Sequence, residues 1–549
     1  MSRQIAIAMF LLAMVAGLIL TVPGSGTADD STFDLSAIRS IAVQSGGRLK
    51  PMDTLAREIV RLVTGKERFQ GEDPVFTVLR WAAEPEKTNE EAVVEVRNLA
   101  LKKELGLAPD RRWYSFHELV GSTGFQAMQE RIRARSEAGA KLDPADQDAS
   151  TMLSRLGALD ELLGGHSLTI VPNPAGMKEP WACIADVETG KAAVDTEQSK
   201  VLAEAYRSML GAMRAGDVRT FNRTASSLSA ELRRAGPYPS QELLAQEIHY
   251  NRFHPFRAAW LVYLVAILIF LVPVKQSYQL GVVATWIGFA LHGYGFYLRT
   301  LIGGRAPVTN MYESVVWAAF GAILFALVLG LRRKSAVLLI VANAAAVVAL
   351  ILADNLPAVL DPSIKPLAPV LRNNFWLTTH VITIMLGYAA FMLALGLGHV
   401  VLWKKLVGSE KPTRELDLVL YRTLQVGVLF LAAGTILGGV WANYSWGRFW
   451  GWDPKEVWAL IALLLYLALL HGRYCGWVRS FEMAAGAVLG FLGVLMAWYG
   501  VNFVLGAGLH SYGFGNGGVG YVAAFAVAEM AFVGLAAWKH YGRGRSKAE

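Results

Sequence analysis

The chain has 549 residues, of which 54% are hydrophobic, with a mean hydropathy of +0.36 and a formal net charge of +8. That composition points to a membrane protein and away from a soluble one. The positive charge is no nucleic-acid signature, because many of the basic residues collect in short loops between apolar runs. The two cysteines, Cys183 and Cys475, form no CxxC pair, which argues against thiol–disulfide exchange by this chain.

In chain order, the first feature is MSRQ followed by the apolar run IAIAMFLLAMVAGLIL and the small residues GSGTA. This has the form of a secretory signal over residues 1–28, cleaved near Ala28 or kept as an anchor, and in both cases the segment after it is exported. Residues 29–255 are polar and of mixed charge, and read as an exported, mostly α domain. Leu55, Ile59, Val60 and Val63 recur at helical spacing over Met52–Val63, and a second helix is expected over Glu197–Arg214. Ser136–Ser150, rich in Ala, Asp and Gln, reads as a loop.

From residue 256 onward, apolar runs recur at about 257–274, 279–299, 313–331, 335–354, 376–403, 419–441, 455–471, 482–506 and 519–539. Most approach or exceed the ~20 residues a helix needs to cross a hydrocarbon core. The fold class expected is therefore an α-helical polytopic membrane protein with about nine C-terminal transmembrane helices. Loop charges orient them. Arg332, Arg333 and Lys334 fill one loop, and Lys404, Lys405, Lys411 and Arg414 another. Arg473 and Arg479 lie in a third, and Lys539, Arg543, Arg545 and Lys547 mark the tail. These alternate so as to share the cytoplasmic side, which leaves the 29–255 domain outside, as the N-terminal signal independently requires. Cys183 and Cys475 then lie on opposite sides and cannot pair within one chain.

The same topology puts the segment WANYSWGRFWGWDPKEVW, residues 441–458, on the outer face between the sixth and seventh spans. Trp441, Trp446, Trp450, Trp452 and Trp458 offer flat π surfaces suited to a large planar ligand. An interfacial aromatic belt is the plainer alternative, though belt tryptophans usually come singly or in pairs. Asp453-Pro454-Lys455-Glu456 has the pattern of an N-cap, a proline at the first helical position and a capping-box Glu, so Asp453 has a structural role first. Asn310-Met311-Tyr312-Glu313 repeats that pattern before the 313–331 span.

Ionisable side chains at membrane depth need a reason. His380, near the outer end of its span, and His510, in the loop after the 482–506 run, share a side with the tryptophans. Two neutral imidazoles above an aromatic platform suit bis-His haem iron, while a packed rim histidine and a solvated loop histidine are the plain alternatives. His471 and His399 lie near cytoplasmic span ends, where snorkelling competes with ligation. His292 lies deep in the 279–299 span, where a helix–helix hydrogen bond is the plain reading. His117, His166, His249 and His254 show no metal-site spacing, and His540 sits in the basic tail.

The joint pattern resembles the CcsA family of cytochrome c biogenesis proteins, the "WWD-domain" haem-handling proteins of the System II pathway. The resemblance rests on WANYSWGRFWGWDPKEVWAL with the adjoining LLHGR, on NNFWLTTHVITIMLGYAAF around His380 and on GLHSYG around His510. LHGYGFYLRTLIGGRAPVTNMYES is similar to the family's preceding segment, and the whole covers about residues 256–540. AVQSGGRLKPMDTLAREIVRLVTGK resembles the domain before the CcsA half in fused CcsBA synthases, but the membrane spans of a CcsB half are absent.

The resemblance implies that His380 and His510 ligate haem iron at an outer site. It implies His471 as an inner ligand, with the tryptophans and Asp453 forming the platform. A second inner ligand would come from a CcsB/ResB-type partner, with His399 or His292 as substitutes. The cofactor implied is haem b, as substrate. The partners are that membrane protein, an apocytochrome c with CxxCH and thiol-reducing proteins. The place implied is the bacterial inner membrane, and the activity is holocytochrome c synthase. A haem-delivery chaperone of the System I type and, from another class, a solute transporter are the rival readings.

Overall fold

The computed structural model describes residues 33–545 except 140–141, 274, 357–358, 367–373, 409–413 and 507–517. The expected signal and His510 lie outside the described residues. The chain divides into two compact units, one ending at Phe253 and one running from His254 to the C-terminus.

In the first unit, helices pack around a core that includes Val60, Leu79, Trp81 and Phe221. A hairpin pairs β1 (Ala42–Ser45) with β2 (Arg48–Pro51), Val43 standing opposite Lys50. Gly46 and Gly47 turn it at positive φ, where a side chain would be strained. The helices expected from spacing form as Met52–Thr64 and Thr196–Ala215. The expected Ser136–Ser150 loop is mostly helix instead: Phe125–Glu137 ends inside it and Pro144–Leu163 begins inside it. The local cause is Asp143, whose carboxylate accepts from Asp146 N at 2.9 Å, with Pro144 next at the first helical position.

Buried charges brace this unit. Asp53 accepts from Arg39 at 2.7 Å and Arg57 at 2.9 Å, and Arg48 meets Glu247 at 2.6 Å. Burial alone would raise the Asp53 carboxyl, but the Arg57 and Arg39 guanidiniums outweigh it and hold it below the ordinary carboxylate range.

The second unit is a bundle of long helices: α1 (Pro255–Leu271), α2 (Ser277–Gly303), α3 (Met311–Arg333), α4 (Ala336–Asn355) and α5 (Asn374–Leu406). After them come α6 (Arg414–Trp446), α7 (Pro454–Tyr474), α8 (Ser480–Leu495) and α9 (Val519–Arg545). α8 continues as a π-helix, Met496–Leu505. Eight of these, counting the run Gln241–Leu271 that contains α1, are long and apolar enough to cross a membrane. The protein is thus a polytopic α-helical membrane protein. α2 falls short of that hydropathy for a packing reason. Cβ atoms at Gly281, Gly288 and Gly295, seven apart, would meet the rings of Phe270, Tyr263 and Phe256 of α1 at 2.5–2.6 Å. Its small residues are a seam for another helix, as in membrane helix pairs generally.

The contacts sort the helix ends. The start of α5 meets the end of α6 through Trp376 and Tyr444, stacked at 5.8 Å. The π-helix meets the start of α3 where Trp498 Nε1 donates to Ser314 Oγ at 2.8 Å. At the other end, Ser480 of α8 donates to Asp417 of α6, and Tyr541 of α9 donates to Glu482 of α8, each at 2.8 Å.

Candidate functional site

The tryptophan segment is less of a loop than hydropathy suggests. α6 runs five residues past the apolar run, to Trp446, and α7 begins at Pro454. Trp441 and Trp446 are therefore helical, Trp458 is in the first turns of α7, and only Trp450 and Trp452 lie in the short link. The helix persists because Trp441 and Ala442 bury a face against Leu377 of α5. Trp441 is 1% exposed and meets Trp446 edge-on, ring centroids 4.6 Å apart.

The link is held by its capping box. Asp453 accepts from Lys455 N at 3.0 Å, and Glu456 accepts from Asp453 N at 3.1 Å and Gly451 N at 2.8 Å. The sequence pattern thus describes Asp453 correctly as a cap, and it is 5% exposed. Just before it, Trp452 adopts a φ of +57° and is 72% exposed. That backbone costs a bulky residue on the order of 1–3 kcal/mol, and such strain clusters at ligand sites. Trp450 lies at right angles to it, 5.9 Å away.

His380 belongs to this cluster. Its Nδ1 donates to the Gly434 carbonyl of α6 at 2.8 Å, and its ring is parallel to Trp441, centroids 6.2 Å apart and planes 5° apart. A carbonyl only accepts, so Nδ1 carries a proton, and in the neutral ring Nε2 is the basic nitrogen. Metal-bound histidines are usually oriented by such an outer hydrogen bond, so the donor chemistry fits haem iron.

The other histidines separate clearly. His292 is fully buried; its Nε2 donates to Val316 O at 3.1 Å and its Nδ1 accepts from Tyr263 OH at 3.3 Å. His399 donates from Nδ1 to Leu395 O at 2.8 Å, and its Nε2 lies 2.8 Å from Glu529 Oε2 of α9. Both ring nitrogens of each are engaged, which leaves neither one ready for iron. His471, near the exposed end of α7, donates from Nδ1 to Leu467 O at 2.8 Å. Among the described residues no three His, Cys, Asp or Glu gather as a metal site.

Sequence reasoning missed a buried charge cluster. Glu313 accepts from Arg299 Nη2 at 2.8 Å and Arg305 Nη1 at 3.0 Å. Asn310 caps Glu313 N at 2.7 Å as expected, but the Glu313 carboxylate serves the arginines and Thr309 N rather than closing a capping box. The signal available was the pair of arginines at 299 and 305, within one stretch of a largely uncharged bundle.

Residues 308–510 match the family model described as "Cytochrome C assembly protein". The chain is 28% identical to Protein NrfI of Wolinella succinogenes over 86% of this chain and 53% of that protein. It thus spans about half the length of NrfI, and the match extends beyond the helical unit. It is 33% identical to the cytochrome c biogenesis protein CcsA of Chlorella vulgaris, over 40% of this chain and 81% of that one. Against CcsA of Synechococcus sp. (strain CC9902) the identity is 35%, over 47% and 94% respectively. With most of two CcsA proteins matched at a third identity or more, this chain belongs to the CcsA family of cytochrome c biogenesis proteins.

Proposed function

We propose that the protein binds haem, presents it at the outer membrane face and, with a CcsB/ResB-type partner, attaches it to the CxxCH cysteines of an exported apocytochrome c. The observation that carries this reading is the imidazole of His380, fixed by the Gly434 carbonyl and lying parallel to Trp441. His510, in the segment after the π-helix, is the second outer ligand. Trp446, Trp450, Trp452 and Trp458 complete the aromatic surface, and Asp453 holds the link in place.

In the reaction, each cysteine S–H adds across a haem vinyl C=C. The sulfur bonds to one carbon, the hydrogen goes to the other, and nothing leaves. No strong acid or base is required of the protein. Its part is to hold the ring at a fixed height with the vinyl edge exposed, and oriented reactions of this kind reach effective molarities on the order of 10⁵ M or more. One axial histidine then yields to the histidine of CxxCH. His471 receives haem b at the inner end, and the engaged nitrogens of His399 and His292 support a partner histidine as its companion.

Orientation is set by the loop charges, with the unit up to Phe253 exported and the C-terminus cytoplasmic. Cys475 is exposed, while Cys183 is buried, its thiol pushed up by burial and by its hydrogen bond to Asp186. In a Cys183→Ser background, a membrane-impermeant maleimide should label Cys475 in inverted vesicles and leave intact cells unlabelled. Labelling from outside would reverse the orientation.

The function is tested by co-expression with a CcsB-type partner and an apocytochrome in a host without its own maturation system. The expected product is a haem-staining cytochrome band on a denaturing gel. Haem in the purified complex without that band would point to a delivery chaperone. A complex free of haem would overturn the reading.

A further inference from the structure

α5 and α6 approach closely along a row of α6 glycines. A Cβ at Gly427 would lie 2.5 Å from the Phe391 ring, and one at Gly434 would lie 2.7 Å from the Ile384 backbone. The row continues one turn on at Gly438, where the neighbour is His380. A Cβ there would lie 2.6 Å from His380 Cε1, 2.8 Å from Nδ1 and 3.3 Å from Nε2. The imidazole therefore occupies the space of the missing side chain. Gly434, four residues back, supplies the carbonyl that takes the Nδ1 proton, and Trp441, three residues on, lies parallel to the ring. Three successive positions on one helix face thus set the tautomer, the seat and the plane of one histidine.

We propose that Gly438 is a positioning residue for the outer haem, seating the His380 imidazole so that Nε2 is presented to iron; this rests on the reading of His380 as a ligand. Helix propensity gives an independent argument. Glycine inside a helix is less favourable than alanine by roughly 0.5–1 kcal/mol, so alanine at 438 would suit the helix better while closing the seat. A methyl group cannot share 2.6 Å with a ring carbon. The ring must swing out, which breaks the Gly434 hydrogen bond and removes the fixed tautomer.

The test uses the full chain purified with its partner, with and without haem-ligating variants. Gly438→Ala should lower low-spin, six-coordinate haem at the outer site by about tenfold or more, the scale on which outer-shell partners of metal ligands act. Inner-site haem should be unchanged. If His380→Ala removes that signature and Gly438→Ala leaves it intact, the seat is wrong and ligation by His380 stands. If neither changes the spectrum, the ligand reading itself fails. Should Gly438→Ala fold poorly, His380→Gly with Gly438→Ala decides the matter. Removing the ring removes the clash, so the double variant should recover the wild-type yield of folded protein, although not of holocytochrome, and folded protein as scarce as in the single variant would overturn the proposal.

Discussion

Replacing His380 with alanine is expected to abolish outer-site haem ligation and, with it, holocytochrome c formation. On the proposed reading the loss should exceed the roughly 10–100-fold that removing a mere outer-shell partner costs, because the proposed ligand itself is removed. The aromatic bed remains, since Trp441 is buried by Leu377 and Trp446 as well as by the imidazole. A cavity the size of an imidazole is left beside the Gly434 carbonyl, so exogenous imidazole should restore both the low-spin spectrum and part of the yield. His510→Ala should show the same phenotype, with haem at the inner site retained in both. His399→Ala is the discriminating control. Its ring already bonds Leu395 O and Glu529, so its loss should affect stability through the stranded carboxylate and leave the outer spectrum unchanged. Equal loss of the outer signature in His399→Ala and His380→Ala would mean that the spectrum reports bundle integrity rather than ligation.

The contrast between these histidines shows what a one-dimensional text carries. Local patterns were legible. The cap at Asp453 involves residues two and three positions on, and the long apolar runs mark their own helices. The expected run at 279–299 forms a long helix, α2, but it is not among the helices apolar enough to cross a membrane; its glycines receive the rings of α1 instead. Contacts between distant positions were not legible. His399 and Glu529 are 130 residues apart, and the seat at Gly438 faces a histidine 58 residues earlier. The continuation of α6 through Trp446 was hidden because Asn443, Tyr444 and Ser445 are polar, while the helix is held by Trp441 and Ala442 against α5. Glu313 is the instructive case: a Glu three residues after Asn310 satisfies a capping-box pattern, yet its carboxylate is taken by two arginines upstream. Sequence alone does not rank two acceptable uses of one carboxylate; burial does.

Glu313→Gln is therefore expected to be among the most destabilising single substitutions in the bundle. Glu313 and Arg299 side chains are each 1% exposed and Arg305 is 8% exposed, so removing the carboxylate strands two guanidiniums away from water. Breaking a buried pair of this kind costs about 3–5 kcal/mol. The consequence reaches the site because the same arginines brace the chain leading to α5. Arg299 donates to Pro362 O at 2.9 Å and Arg305 to Lys365 O at 2.8 Å, with both carbonyls upstream of His380. The start of α3 also meets the π-helix that precedes His510, through Ser314 and Trp498. Loosening this corner should lower the temperature at which the purified complex loses monodispersity, and outer-site haem should be lost in parallel rather than first. A structural origin has a signature that a ligand role lacks. Arg299→Met combined with Glu313→Gln removes one stranded charge together with its partner, so the double variant should be less destabilised than the two single losses added, with a coupling of about 1 kcal/mol or more. Additive losses, or outer-site haem lost at unchanged thermal stability, would show that Glu313 acts on haem directly and not through the ion cluster.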